Sequence, residues 1–215
     1  MSQGCNPIVF VVDADASTRE SLERLIQNAG WRAETFATAH DFLARPRSAA
    51  PCCLIADTAL PGLTGLELQR QIVFERSPIP VIFLSGRCDI ETTVRAMKGG
   101  ALDFLTKPIN DEPLLNAIRE ALRRSEAVLG RENELRQLRA IYGSLTPRER
   151  EVMTLVVSGL PNKVVGGELG ITEITVKMHR GNVMRKMKAD SFVQLVHMAS
   201  RLRVVRPLAA SAISA

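Results

Sequence analysis

Five short strand-like runs, three of them apolar throughout, recur along the first half of the chain, and stretches of helical spacing separate them. The runs cover residues 8–12, 32–36, 52–56, 81–84 and 103–106, and turn or proline signals bound them. Between them lie helical stretches at 17–28, 41–44, 65–75 and 90–98. In the first, Leu22, Leu25 and Ile26 share a face and Gly30 is the stop. In the third, Leu66, Ile72 and Val73 are expected to face inward. Gly99-Gly100 closes the fourth. Strands alternating with helices predict an α/β domain built on a five-stranded, parallel, doubly wound sheet.

In such sheets, ligands and reactions sit at the carboxyl ends of the strands. The chemistry of this chain gathers at those ends. The first run stops at Asp13-Ala14-Asp15, the third at Asp57 and the fifth at Lys107-Pro108. Asp57 precedes Thr58-Ala59-Leu60-Pro61-Gly62, so its carboxylate is expected in the open at the sheet's reactive edge. Acids and a lysine on one edge suit a phosphate and a divalent cation. Magnesium needs only a few carboxylates because it keeps several waters. A carboxylate can also attack a phosphoryl group, giving an acyl phosphate that the cation and the lysine neutralise.

The 215 residues suffice for one large or two small domains, and 46% hydrophobic with 24% charged content fits a globular protein. No apolar stretch approaches the roughly 18 residues that span a bilayer. The first apolar run is short, ends in acids and has no basic residue before it, so a signal peptide is not expected. A cytoplasmic location without membrane association is the expectation. Cys5, Cys52, Cys53 and Cys88 match no zinc spacing and are expected as reduced thiols, with Cys52 and Cys53 on opposite faces of a strand.

The net charge of +5 is uneven. Residues 144–215 hold eleven Lys and Arg against five Asp and Glu, whereas residues 1–143 are close to neutral. A basic terminal segment suggests a polyanionic partner, most often nucleic acid, against the plainer reading of a solubilising surface. From Asp111 a helix opens with acids and Pro113 in its first turn, and Leu114, Leu115, Ile118 and Leu122 mark its apolar face. Leu135, Leu138 and Ile141 continue that spacing beyond Gly130, a helical linker or a short coiled-coil contact.

The last third reads as helical throughout. Thr146-Pro147-Arg148-Glu149 is a capping box, and Ser191 to Gln194 is another. Residues 162–169 form a short helix, Gly170-Ile171-Thr172 a turn, and 173–187 a longer helix with basic early turns. Val176, Val183 and Met187 recur at core spacing on it, leaving Lys177, Arg180 and Lys186 on other faces. A basic helix after a tight turn fits a recognition helix in the DNA major groove.

Residues 7–124 resemble the receiver domain of two-component response regulators, a flavodoxin-like fold. The signature runs Val11-Val12-Asp13, Asp57 to Gly65, Leu84-Ser85-Gly86 and Phe104-Leu105-Thr106-Lys107-Pro108. Residues 144–203 resemble a small all-α LuxR-type helix-turn-helix, from Leu145-Thr146-Pro147-Arg148-Glu149 onward. Together, with residues 125–143 as linker and 204–215 as a disordered tail, they are similar to the FixJ-like branch of the NarL/FixJ response regulators. The resemblance implies that a sensor histidine kinase phosphorylates Asp57. Asp13, Asp57 and the Ala59 carbonyl would hold Mg2+, with Asp15 a further candidate. Ser85 and Lys107 would bind the phosphoryl group, the Lys107-Pro108 bond would be cis, and Phe104 would be the aromatic switch. Lys163, Thr172, Thr175, Lys177, His179, Arg180, Asn182 and Lys186 would face DNA.

Two departures from the family pattern stand out. Ala14 replaces one of two adjacent acids, so Mg2+ binding is expected to be weak. Gly166-Gly167 falls in the scaffold helix, where two interior glycines cost roughly 2 kcal/mol and should soften the domain. The function implied is a DNA-binding transcriptional response regulator, not an enzyme, that dimerises on activation and binds promoter DNA, with RNA polymerase a further partner. Two alternatives remain: a regulator independent of phosphate, suggested by Ala14, and a kinase-binding phosphoryl sink, suggested by the glycine pair.

Overall fold

The computed structural model describes residues 6–75, 79–86 and 90–204. The tail after 204, Cys5 and Cys88 lie outside them. The chain divides into two compact units, Met1–Gly130 and Arg131–Ala215.

In the first unit, β1 (Ile8–Val12), β2 (Arg32–Phe36), β3 (Cys52–Asp57), β4 (Val81–Ser85) and β5 (Asp103–Thr106) form one parallel sheet in the order β2-β1-β3-β4-β5. β1, β3 and β4 are central, and they carry the continuous apolar runs that burial on both faces demands. Successive strand residues point to opposite faces. Phe10, Leu54 and Phe83 therefore enter one core cluster, and Val9, Ile55 and Ile82 the other. Cys52 and Cys53 divide the same way, and both are buried free thiols. Burial pushes both thiol pKa values up.

The helices α1 (Ala16–Asn28), α2 (Ala39–Ala44), α3 (Gly65–Glu75) and α4 (Ile90–Lys98) connect the strands. Leu22 and Ile26 bury one face of α1, as their spacing predicts. In α3 the inward residues are Leu68 and Ile72, whereas Val73 is 61% exposed. Ile72 is buried and Leu66 packs against the core as expected, but the helix carries apolar residues at 66, 68, 72, 73 and 74, more than one stripe accommodates, so periodicity alone misplaced Val73 and missed Leu68.

α5 (Asp111–Gly143) carries no break at Gly130. Its first part packs on the sheet through Leu114, Ile118 and Leu122. Ser125 is buried there too, and its hydroxyl accepts the Cys52 N–H at 2.9 Å. Its last part belongs to the second unit, where Leu138 is buried and Ile141 and Tyr142 pack on the core. The stretch expected as a linker is thus used at both ends as core.

The second unit adds α6 (Pro147–Val157), α7 (Asn162–Leu169), α8 (Glu173–Met187) and α9 (Phe192–Leu202). Thr146 and Glu149 form the full capping box on α6. On α9 the box is altered: Ser191 caps Gln194, but the Gln194 side chain returns to the Asp190 N–H. Val152, Val156, Val165, Val176, Val183, Met187 and Leu195 make the core. The turn into α8 runs through Gly170 in the left-handed region, φ 65°.

Gly166 corrects the expectation of a softened helix. It is buried, and a Cβ there would meet the Ile171 carbonyl oxygen at 2.7 Å. Close approach of α7 to the turn requires glycine at 166. At Gly167 nothing lies within 4 Å, so only that residue carries an uncompensated helix cost.

Candidate functional site

Sheet register builds the first site. Val12 of β1 pairs with Ala56 of β3, so Asp13 and Asp57 leave the sheet side by side. Ser85 of β4 pairs with Thr106 of β5, and the next residue, Lys107, donates its N–H to the Ser85 carbonyl at 2.8 Å. The Lys107 Nζ then reaches both acids, 2.7 Å from Asp13 Oδ2 and 2.6 Å from Asp57 Oδ2. Burial works against the lysine's charge, but the two carboxylates outweigh it and raise its pKa.

Asp57 is not as open as expected: its side chain is 14% exposed. One oxygen faces Lys107, and the other accepts the Ala59 N–H at 2.8 Å. Asp13 is almost fully buried. The Thr58 and Ser85 hydroxyls lie 3.0 Å apart beside the acids. A cleft lined by Asp57, Thr58, Ser85, Arg70, Arg95 and Lys107 opens above them. Gly65 lets this edge close up, since a Cβ there would collide with the Asp57 carbonyl oxygen. The Phe104 ring is partly buried, 6.4 Å from the Phe83 ring. The Lys107-Pro108 bond is cis, as the resemblance implies.

Asp15 is placed differently from the metal ligand considered for it. Its carboxylate caps α1, accepting from the Ser17 and Thr18 N–H groups and from the Thr18 hydroxyl at 2.6 Å. Those Thr18 bonds hold its pKa below the ordinary value. Ala14 offers no side-chain oxygen, and its carbonyl, with that of Asp13, accepts from the Arg19 guanidinium at 2.9 and 2.7 Å. Arg19 had no signal in the sequence. Among the described residues no cluster of three His, Cys, Asp or Glu side chains could hold a metal. Two carboxylates at a strand edge still fit magnesium, which is bound through one or two carboxylates plus substrate phosphates and waters.

The second site is α8 and its approach. Thr172 caps the helix, accepting the Thr175 N–H, and the two hydroxyls are 2.8 Å apart. Lys163 and Lys177 are exposed, and Lys177 pairs with Glu173 one turn back. His179 is partly buried with Nδ1 enclosed and unpartnered, and Asn182 accepts from Arg185 at 3.2 Å. Two of the residues expected at DNA make contacts within the unit. Lys186 pairs at 2.7 Å with Glu149, which is buried. Arg180 stacks over the Phe192 ring at 4.6 Å and reaches Asn162. The outermost stripe of α8 is instead Ile174, Met178, Gly181 and Arg185. Its spacing of four, three and four residues was legible but passed over for the basic residues.

A phosphoacceptor-type edge on a 2-1-3-4-5 sheet, joined to a helix-turn-helix unit, defines a class of phosphate-controlled DNA-binding proteins. Residues 9–119 match the response regulator receiver domain family, and residues 143–199 match the bacterial regulatory proteins of the luxR family. The chain belongs to the response regulators of two-component systems, with a receiver domain and a LuxR-type DNA-binding domain, and is a transcriptional regulator of that family. It is 43% identical to Nodulation protein W of Bradyrhizobium diazoefficiens over 92% of this chain and 87% of that protein. It is 40% identical to the response regulator protein TmoT of Ectopseudomonas mendocina, over 91% and 89%. The solved structure of response regulator StyR superposes with a TM-score of 0.82 at 43% identity, covering 92% of this chain and all of that one. Receiver domains of this kind bind Mg2+ for phosphorylation and take a histidine kinase as partner, and the LuxR-type unit binds DNA. Among the described residues no helix is long and apolar enough to cross a membrane.

Proposed function

We propose that Asp57 is the phosphorylated residue and that its modification controls DNA binding by the second unit. The observation that carries this reading is the Asp13–Lys107–Asp57 bridge at one sheet edge. The Asp57 oxygen attacks the phosphorus of a kinase phosphohistidine. An O–P bond forms, the P–N bond breaks and the imidazole leaves. Lys107 shifts from bridging the acids to a phosphoryl oxygen, and Ser85 donates to another. Phe104, paired across the sheet with Phe83 two residues before Ser85, responds to the movement of Ser85. Asp13, Asp57 and the Ala59 carbonyl would hold Mg2+, which neutralises phosphoryl charge. Ala14 removes a carboxylate from that set, so Mg2+ binds weakly.

Phosphorylation adds about two negative charges, enough to bias a two-state surface of the receiver toward homodimerisation. Two helix-turn-helix units then read a two-fold-related promoter site, Lys163, Thr172, Thr175, Lys177, His179 and Asn182 lining the approach, and contact RNA polymerase from there.

A second reading is favoured by the same bridge. Lys107 already neutralises the acids, and Arg19 ties down the loop at Ala14, so the receiver could act without phosphate. The two separate in one experiment: DNA affinity of wild type and Asp57→Ala, with and without acetyl phosphate and magnesium. Tightening confined to wild type supports phosphate control. Equal affinity in all four samples supports the second reading and contradicts the first.

A further inference from the structure

The outward stripe of α8 has a composition that the fold does not require. Ile174, Met178, Gly181 and Arg185 fall within about 60° of one another around a helix of 3.6 residues per turn. Val176, Val183 and Met187 take the opposite, buried side. Ile174 is 79% and Met178 56% exposed, neighbours one turn apart. A Cβ at Gly181 would meet nothing within 4 Å, and the backbone there is helical. Alanine would therefore fit, and glycine only weakens the helix. Two exposed apolar side chains followed by a gap thus make a smooth strip. Lys177 flanks it, exposed, and Asn182 and Arg185 bond to each other at its far end.

We propose that this strip reads thymine: Ile174 and Met178 pack on C5-methyl groups in the major groove, and Gly181 lets α8 approach the base edges closely. The inference rests on the family's DNA-binding function and adds its specificity. The thymine methyl is the apolar feature of the major-groove edge, so apolar side chains on a reading helix select it. The occupant is DNA and not a second copy of this chain. The strip is continuous with Lys177 and lies in the stretch of residues 144–215 whose charge is strongly positive.

The test uses the full-length protein, with acetyl phosphate and magnesium and without. A duplex is selected from a random-sequence pool, then remade with deoxyuridine, which lacks only the methyl group, at every thymine. Wild type should lose about fourfold in affinity for each contacted methyl removed, the worth of one buried carbon. The double variant Ile174→Ala with Met178→Ala should bind the two duplexes within about twofold while keeping the wild-type salt dependence, since neither residue touches a phosphate, and each single variant should keep the other residue's share of the loss. Gly181→Leu should weaken binding to both. Equal wild-type affinity for the two duplexes, with salt-dependent binding intact, overturns the proposal; self-association lost in Met178→Ala would then assign the strip to a second copy. Failure of wild type to bind any duplex in a salt-dependent way overturns the DNA-binding function itself.

Discussion

Glu149 shows how one residue can be misjudged from a string of letters. Its capping role is local and legible, but its ion partner Lys186 lies 37 residues away, and only packing brings the two together. From its charge alone Lys186 reads as a DNA contact, with no sign of the ion pair. Burial works against the Glu149 charge, but hydrogen bonds from Lys186 and Thr146 outweigh it and hold the pKa below the ordinary 4.5. A depressed carboxylate contributes its stability in full above the unfolded value and loses it as pH falls through the folded one. Glu149→Gln should destabilise the protein at pH 7 by about 1.5–3 kcal/mol, the worth of hydrogen bonds to a charged group. The gap to wild type should narrow below pH 4.5, which urea unfolding at pH 7 and pH 3.5 would read. Asp15 carries a similar lesson: an acid beside a metal loop and an acid capping a helix are spelled alike, and Thr18 decides between them.

At the scale of elements, the strands were the legible part. The central strands β1, β3 and β4, buried on both faces, must be apolar, the edge strands β2 and β5 are mixed, and the breaks between them fell at prolines, glycines and acids. Helix faces were less so, because α3 carries more apolar residues than it buries. The glycine pair of α7 was legible only as composition, since the Ile171 carbonyl that excludes a side chain at 166 comes from the following turn. The two positions should separate on mutation. Gly167→Ala should stabilise by about 0.5–1 kcal/mol, the ordinary helix gain. Gly166→Ala should destabilise, because the turn into α8 must move to admit the methyl. Thermal melts of both variants decide it, and equal shifts would contradict the packing argument. Thr146→Ala should cost about 1 kcal/mol through loss of the α6 cap, measurable in the same way.

At the scale of the molecule, charge and chemistry are divided between the two units. The first gathers two acids and a lysine on a sheet edge, and the second carries the excess of positive charge. Both were readable as patterns, strand ends in one case and a basic helix after a turn in the other. Which basic residues face outward was not, because that depends on Phe192 and Glu149 in neighbouring helices. Lys177→Ala should therefore lower the salt slope of DNA binding by about one phosphate contact. Arg180→Ala should chiefly lower stability, and a reduced slope without lost stability would return Arg180 to the interface. The central claim is that Asp57 accepts phosphate at an edge that Ala14 leaves short of one carboxylate. Intact mass after incubation with acetyl phosphate over a magnesium titration tests it directly. Wild type should gain one phosphoryl group, rising only at high magnesium, and Asp57→Ala none. No gain at any magnesium concentration, or an equal gain on Asp57→Ala, would contradict it.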